Sequence, residues 1–401
     1  MAIFHPDLAA QPVPRYTSYP TAAQFHEGVG AAEQGQALAT IPAGAPVSLY
    51  LHVPFCRQIC WYCGCNTGVA ANDRLKRYEK VLLAEIATAA SLMKGRVIAV
   101  QFGGGSPNAL AAPVLARIIA ALRAQFDVAD GAEIAMELDP RAIQPFDTIM
   151  AAVDQFRAVG IKAINFDLMY GLPGQSVVDL TEAIEQALLL KPDRVAVFGY
   201  AHMPSAIARQ RMISDLDLPG AAARFAMSTA AHRLFTAAGY AAIGFDHFAL
   251  PDDSLAIAAA SGEMIRNFQG YATQAGVAVV GLGATAISQF SGLIVQNEKH
   301  LGQWETAVNA GLLAGTRGVT VNADDAQRSD VIARLLCDGM VDVPGPLADA
   351  LPHLAKHAAR GLVQQHGRQV ALTPDGWPYA RLIASAFDAH LKAPQRHSKA
   401  V

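Results

Sequence analysis

Four of the five cysteines lie within ten residues, at Cys56, Cys60, Cys63 and Cys65. A secreted disulfide framework would spread its cysteines to join distant loops, whereas a compact cluster in a cytoplasmic chain is more often a metal site. The spacing therefore predicts a metal centre on a single loop. Cys337 stands apart in an apolar helical pattern, and we interpret it as a core residue.

The spacing Cys56-x3-Cys60-x2-Cys63 favours an iron-sulfur cluster over zinc. A cuboidal cluster has four irons, so three thiolates would leave one iron open to a substrate or cofactor, whereas an electron carrier normally has all four irons capped by cysteine. The alternative is a structural zinc site that also uses Cys65. Zinc usually takes its ligands from two separated pairs, so this alternative is weaker and remains open.

The segments around this loop predict an α/β fold. Apolar, β-rich runs alternate with amphipathic helical segments at intervals of about 25 to 45 residues, which is typical of βα units. Polar or glycine-rich residues follow the strands, where a parallel α/β barrel places its chemistry. The predicted strands are 46–53, 97–102, 133–138, 163–168 and 194–198.

We predict three regions: an N-terminal extension (1–45), a barrel (46–315) and a small, mostly helical C-terminal domain (316–401). In the last region, helices at 323–338 and 346–360, a hairpin at 361–373 and a final helix at 379–391 resemble a winged-helix unit. Winged helices often bind DNA, but this segment has no dense basic stripe. We therefore expect it to cover the substrate or to act in docking.

Composition excludes several classes of protein. The 401 residues are 52% hydrophobic and 16% charged, which suits a sizeable core and not a disordered chain. A net charge of -3 argues against a nucleic-acid partner. No apolar run reaches the roughly 18 residues that a membrane span requires. Residues 1–15 lack the basic start and apolar run of a secretory signal, so we expect a cytoplasmic protein.

The residues around the cysteines resemble a known family. The stretch Tyr50-Leu-His-Val-Pro-Phe-Cys56 through Cys65 is similar to radical S-adenosylmethionine (SAM) enzymes and, among them, to the oxygen-independent coproporphyrinogen III oxidases. The resemblance covers nearly the whole chain. Further matching segments are 14–21 (PRYTSYPT), 103–107 (GGGSP), 137–140 (ELDP), 165–173 (NFDLMYGLP), 200–202 (YAH), 246–248 (DHF) and 266–271 (RNFQGY).

The resemblance implies a partial parallel (β/α) barrel that carries a 4Fe-4S cluster on Cys56, Cys60 and Cys63, with SAM at the open iron. It implies an oxidoreductase of haem biosynthesis, in which a 5'-deoxyadenosyl radical drives oxidative decarboxylation of coproporphyrinogen III propionates to vinyl groups, giving protoporphyrinogen IX. We expect a monomer that takes electrons from a flavodoxin or ferredoxin. The alternative is a haem or porphyrin carrier, or an inactive paralogue, that retains the cluster.

Several residues acquire expected roles from the resemblance alone. Cys65 resembles an additional, non-ligating cysteine near a second SAM, although it could equally be a bystander thiol. Arg15 and Arg266 are candidate partners of the substrate propionates, because guanidinium pairs well with carboxylate. No residue is assigned as catalytic. The residues expected to contact SAM are Tyr50, Tyr62, Cys65, Gly104, Gly105, Ser106, Glu137, Asp167, Ala201 and Ile287.

One departure from the family pattern follows Arg141. In the family another strand and helix separate the Glu-Leu-Asp-Pro segment from the strand that ends here at Asp167, and they carry contacts to the second SAM. Here Asp139-Pro140-Arg141 runs almost directly into Ile143, so about one βα unit is missing. The neighbouring strands must then pair directly or leave a gap that exposes sheet edges. Cluster binding is accordingly the firmer expectation, and double decarboxylation the weaker.

Overall fold

A large twisted sheet forms the centre of the computed structural model, which describes residues 2–138, 146–273, 276–391 and 399–400. In these residues the sheet has eleven strands, ordered β11-β10-β9-β8-β1-β2-β3-β4-β5-β7-β6. The strands are β1 Pro46–Val53, β2 Arg96–Gly104, β3 Asp127–Leu138, β4 Ala163–Tyr170, β5 Arg194–Gly199, β6 Ala241–Ile243, β7 His247–Ala249, β8 Ala278–Leu282, β9 Ile287–Phe290, β10 Leu293–Asn297 and β11 Gly315–Thr320.

The six central strands, β8 and β1 to β5, are parallel neighbours. All five strands expected from the sequence are present, and four extend beyond the predicted bounds. Antiparallel strands flank this core, β9 to β11 on one side and β7 with β6 on the other. The predicted α/β fold with a partial parallel barrel and a small C-terminal domain is confirmed.

Helices connect the parallel strands and cover the sheet. Helix α3 buries Tyr78, Leu82 and Ile86 on one face, at the spacing that the sequence predicts. The helix begins at Asn72, and Ala71 precedes it without a side-chain cap. The helices are α1 Pro6–Ala9, α2 Ala31–Thr40, α3 Asn72–Leu92, α4 Ala112–Gln125, α5 Phe146–Ala158, α6 Val177–Leu189, α7 Ala221–Ala237, α8 Ser254–Ser261, α9 Leu301–Asn309, α10 Ala323–Cys337, α11 Ala355–Ala358 and α12 Ala380–Ala384.

Strands β3 and β4 pair directly where the family pattern has an additional unit. Their parallel register runs from Ala135 opposite Ala163 to Leu138 opposite Phe166. Direct pairing satisfies the backbone groups of both strands, so the shortened chain leaves no sheet edge at this point. Helix α5 lies on the connection between them. Asp139-Pro140-Arg141, where the departure begins, lies outside the described residues.

The C-terminal region combines helices with a small three-stranded sheet of β12 Met340–Asp342, β13 Val363–His366 and β14 Gln369–Leu372, ordered β12-β14-β13. The helix predicted at 346–360 is instead a 3-10 segment, Gly345–Leu354, followed by α11, because Pro352 cannot donate a helical hydrogen bond. The final helix was predicted too long: α12 and a 3-10 turn, Ser385–Phe387, end it before residue 391.

The N-terminal segment packs on the C-terminal region and not only on the sheet. Leu8, Val13 and Tyr16 share one buried cluster with Leu335 and Ile383. Cys337 is 7% exposed, as expected of a core residue. Along the described ranges, no helix combines the length and apolarity needed to cross a bilayer. Further 3-10 turns are Ala22–Gln24, Pro107–Ala109, Ala208–Met212, Asp215–Asp217 and Trp377–Tyr379.

Candidate functional site

The cysteine loop leaves the sheet at the carboxyl end of β1 and is closed at its base. The short strands Phe55–Cys56 and Gly68–Val69 pair in parallel, and the Ala70 N–H donates to the Cys56 carbonyl at 2.9 Å. Within the loop, the Cys63 N–H donates to the Cys60 carbonyl at 3.1 Å. These backbone bonds hold Cys56, Cys60 and Cys63 on one turn that begins at a buried strand.

The thiols of this loop have different surroundings. All are free; Cys56, Cys60 and Cys63 are half-buried, and Cys65 is exposed. Hydrogen bonding from Cys65, including its backbone N–H at 3.3 Å from Cys63 Sγ, lowers the pKa of Cys63 to about 6. Burial raises the pKa of Cys56, against a hydrogen bond from Ser106. Cys65 therefore supports the position of Cys63 in this structure.

A glycine-rich turn after β2 lies against the start of the cysteine loop. The Gly105 N–H donates to the Val53 carbonyl at 2.8 Å, and the Ser106 N–H donates to the Phe55 carbonyl at 2.8 Å. A Cβ atom on Gly105 would lie 2.7 Å from that Phe55 oxygen, so only glycine permits this approach. The turn and the cysteine loop are thus fixed to each other through backbone contacts.

Glu137, at the end of β3, points into the same region. Its carboxylate accepts hydrogen bonds at 3.4 Å from the Gly104 N–H and from Gln101 Nε2. Burial raises the pKa of Glu137. Tyr50 lies beside it, with its hydroxyl 3.2 Å from His52 Nδ1. Burial, and then the nearby Glu137 charge, raise the pKa of Tyr50 well above its usual value.

A cavity of about 200 Å³ is lined by residues of the parallel strands β1 to β5. Glu137 and Asp167 both line it, so β3 and β4 bring these two predicted residues together. Asn165 Nδ2 donates to Asp167 Oδ1 at 3.0 Å. Other polar residues that line the cavity are Arg15, Gln101, Asp246, His247, Arg266 and Gln269.

Tyr62 and Ala201 belong to distant segments that Gln210 joins. Gln210 Nε2 donates to the Tyr62 carbonyl at 2.8 Å and to the Ala201 carbonyl at 3.1 Å, and Gln210 is 1% exposed. The Tyr62 ring also contacts the Tyr200 ring edge-on, with centroids 6.1 Å apart. Sequence reasoning missed Gln210, because a glutamine in an irregular segment carries no local signal of burial.

Ile287 lies farther from the cavity, at the start of β9. Its backbone packs against Gly281, where a side chain would leave no room for it. Gly281 in turn pairs with Tyr50 in the sheet, so Ile287 lies one strand away from Tyr50. Neither Ile287 nor Ala201, Tyr62 or the cluster-loop cysteines line the 200 Å³ cavity. Of the ten predicted SAM contacts, Glu137 and Asp167 line this cavity, and the other eight lie outside its lining.

The donor set fits an iron-sulfur cluster with SAM. Among the described side chains, no three His, Cys, Asp or Glu groups converge as the ligands of a single metal ion do. A cuboidal cluster takes each thiolate on a different iron, so it does not require such convergence. In the cavity, Asn165 Oδ1 and Gln269 Nε2 are buried without a described partner. An acceptor and a donor of this kind suit the amino group and ribose hydroxyls of SAM.

The chain is similar over almost its full length to known proteins. It is 39% identical over 438 positions to the oxygen-independent coproporphyrinogen III oxidase of Bradyrhizobium diazoefficiens, covering 97% of each chain. It is 35% identical to the protein of the same description from Escherichia coli, covering 96% of this chain and 94% of that one. The first alignment exceeds the 401 residues of this chain by 37 positions, in agreement with a missing segment.

A solved structure extends this similarity to the fold. The coproporphyrinogen III oxidase of Escherichia coli, described as a radical SAM enzyme, matches with a TM-score of 0.85 and 33% identity, over 95% of this chain and all of the other. No protein-family model matches the chain.

Proposed function

The chain belongs to the oxygen-independent coproporphyrinogen III oxidase family of radical SAM enzymes, and from this premise we propose that it decarboxylates two propionates of coproporphyrinogen III to vinyl groups. Each propionate gives up a hydrogen atom to the 5'-deoxyadenosyl radical and then loses carbon dioxide and one electron. An external acceptor takes the electron. The observation that carries the proposal is the fixed contact between the cysteine loop and the glycine turn beside half-buried Glu137.

Cys56, Cys60 and Cys63 would hold a 4Fe-4S cluster, and the glycine turn and Glu137 would hold SAM. When bound, the cluster supplies the low-potential electron that cleaves SAM and starts hydrogen abstraction. Glu137 would bind the SAM amino group or ribose hydroxyls, since a buried carboxylate gains most from such donors. Asp167 would do the same on the neighbouring strand, and Tyr50 would pack beside the ligand.

We propose that Arg15 and Arg266, which both line the cavity that Glu137 and Asp167 enter, bind a propionate of the substrate. Arg266 Nη2 donates to the Arg15 carbonyl at 3.1 Å, and its guanidinium lies 4.5 Å from the centre of the Tyr271 ring. Nη1 of Arg266 is buried and has no partner among the described residues. Asp246 lines the same cavity and hydrogen-bonds to His247 at 2.6 Å. A carboxylate would satisfy the unpaired Arg266 nitrogen.

The proposal extends to the setting in which the chain works. Three thiols that bind a cluster must stay reduced, which favours the cytoplasm over an oxidising compartment. We propose that a flavodoxin or ferredoxin supplies the electrons and that the chain acts as a monomer.

An anaerobic turnover assay tests the function. The chain is reconstituted with iron and sulfide, then incubated with SAM, dithionite and coproporphyrinogen III, and the products are separated by chromatography. We expect the mono-vinyl and di-vinyl products together with 5'-deoxyadenosine. Stoichiometric haem binding without turnover would indicate the carrier function instead. SAM cleavage without vinyl products would show that the shortened chain has lost substrate processing but kept the cluster.

A further inference from the structure

Arg209 lies beside the cysteine loop and has no role in the assignments above. It belongs to the 3-10 turn Ala208–Met212, which Gln210 fastens to the loop through the Tyr62 carbonyl. Ile207, which precedes this turn, packs against Gly64 of the cysteine loop. Its Cδ1 atom lies 3.1 Å from the position that a Cβ atom on Gly64 would occupy. Two neighbours of Arg209 thus contact the loop between Cys60 and Cys65.

The guanidinium of Arg209 is only partly satisfied. Its Nη1 atom is buried, and no described residue accepts a hydrogen bond from it. A buried, unpaired donor of a charged group costs free energy, so such an atom indicates an absent partner.

The partner that this position suits is an anion on the loop. Three thiolates outweigh the positive charge of a 4Fe-4S core, so the bound centre would be negative and would gain a further negative charge on reduction. A fixed cation nearby stabilises the reduced form more than the oxidised form. The reduction potential of such clusters depends on net charge and on hydrogen bonds to the sulfurs.

We propose that Arg209 is a charge-compensating residue that faces the cluster and raises its reduction potential, so that the reductant can load the electron needed for SAM cleavage. The inference rests on the cluster part of the proposed function. It does not depend on decarboxylation, because it concerns the potential of the centre before substrate binds.

Potentiometric titration of the reconstituted chain, followed by electron paramagnetic resonance without SAM or substrate, tests the proposal. We expect Arg209→Gln to shift the midpoint potential to a more negative value, and Arg209→Lys to restore most of the shift by keeping the charge. Arg211→Gln is the matched control, since Arg211 lies in the same turn but is exposed and donates to the Pro204 carbonyl.

Equal midpoint potentials for Arg209→Gln and the unchanged chain would overturn the inference. If Arg209→Gln fails to retain iron, iron content replaces the potential as the readout. If Arg209→Lys retains iron while Arg209→Gln and Arg209→Met both lose it, the result would support a role for the positive charge. Loss in the Lys variant as well would overturn it. Failure of the unchanged chain to bind iron would contradict the proposed function itself.

Discussion

Glu137 fills the space that any side chain at Gly103 would need. A Cβ atom on Gly103 would lie 2.6 Å from Glu137 Oε2, closer than real Cβ contacts allow. The same oxygen accepts the Gly104 N–H. The last two residues of β2 and the carboxylate at the end of β3 therefore determine each other's positions.

Gly103→Ala should displace Glu137 and weaken SAM binding. We expect the dissociation constant for SAM to rise by about tenfold or more, equivalent to about 1.4 kcal/mol, because the methyl group must move the carboxylate or the Tyr50 ring. Equilibrium dialysis of the reconstituted chain measures it. Gly131→Ala is the control, since nothing lies within 4 Å of that position. Unchanged SAM affinity in Gly103→Ala would remove Glu137 from the proposed SAM site.

Cys60→Ala should abolish stable cluster binding. Two remaining thiolates, Cys56 and Cys63, hold two irons of a cuboid and leave half of it without protein ligands. We expect iron and sulfide content to fall to a small fraction of the unchanged chain after reconstitution. Cys337→Ala and Cys65→Ala should both retain about four irons per chain. Iron loss in either of these two variants would show that a ligand has been misassigned.

Arg266→Met should impair substrate binding more than SAM cleavage. The Met side chain keeps an apolar contact with Tyr271, but it removes the unpaired nitrogen proposed to meet a propionate and the hydrogen bonds to the Tyr16 and Arg15 carbonyls. We expect KM for coproporphyrinogen III to rise at least tenfold, while substrate-independent 5'-deoxyadenosine formation stays within about twofold. Arg123→Met, on the exposed face of α4, is the control. An unchanged KM in Arg266→Met would place the propionates elsewhere.

His52 should make stability depend on pH. Burial lowers its pKa to about 4 in the folded chain, below the ordinary value of 6.5, so only the unfolded chain takes up a proton between these values. The stability that neutral His52 provides is fully present above pH 6.5 and is lost as the pH falls towards 4. Its loss at pH 5 is about 2 kcal/mol.

Urea unfolding at pH 7 and pH 5 measures this contribution. In His52→Gln the decrease in unfolding free energy between the two pH values should be smaller by about 2 kcal/mol than in the unchanged chain. His300→Gln, at an exposed position, should show the same decrease as the unchanged chain. Equal pH dependence in the unchanged chain and His52→Gln would show that His52 is not buried as a neutral group.

Replacing Arg194 should lower the free energy of unfolding more than replacing any other ion-pair residue of the sheet. From β5 it reaches across β4 to Glu133 on β3 at 2.9 Å, and it also pairs with Asp253 at 2.8 Å. Arg194→Met would leave the largely buried Asp253 and half-buried Glu133 carboxylates without their cation, and we expect a loss of about 3 to 5 kcal/mol in urea unfolding. Arg117→Met breaks the exposed pair with Glu79 and should cost about 0 to 1 kcal/mol. Similar losses in both variants would contradict this assignment.

Short-range patterns determined much of the fold from the sequence. The strand 46–53 was predicted with its observed bounds, and α10 to within one residue, because apolar periodicity and turn residues act over only a few positions. The errors lie where local patterns are ambiguous. The predicted helix at 346–360 has the apolar spacing of an α-helix, but Pro352 has no N–H and interrupts the helical hydrogen bonds. Apolar spacing by itself does not reveal this interruption.

The sequence by itself determined the cysteine loop, the parallel βα order and the family, since each depends on residues close together in the chain or on long matched motifs. Only the tertiary structure decided that Gln210 joins Tyr62 to Ala201, that Arg266 meets the Arg15 backbone, and that β3 pairs directly with β4. Apart from the Gln210–Ala201 hydrogen bond, which spans 9 residues, these contacts join residues from 28 to 251 positions apart. Which of them form depends on the packing of the whole chain, which local periodicity does not encode.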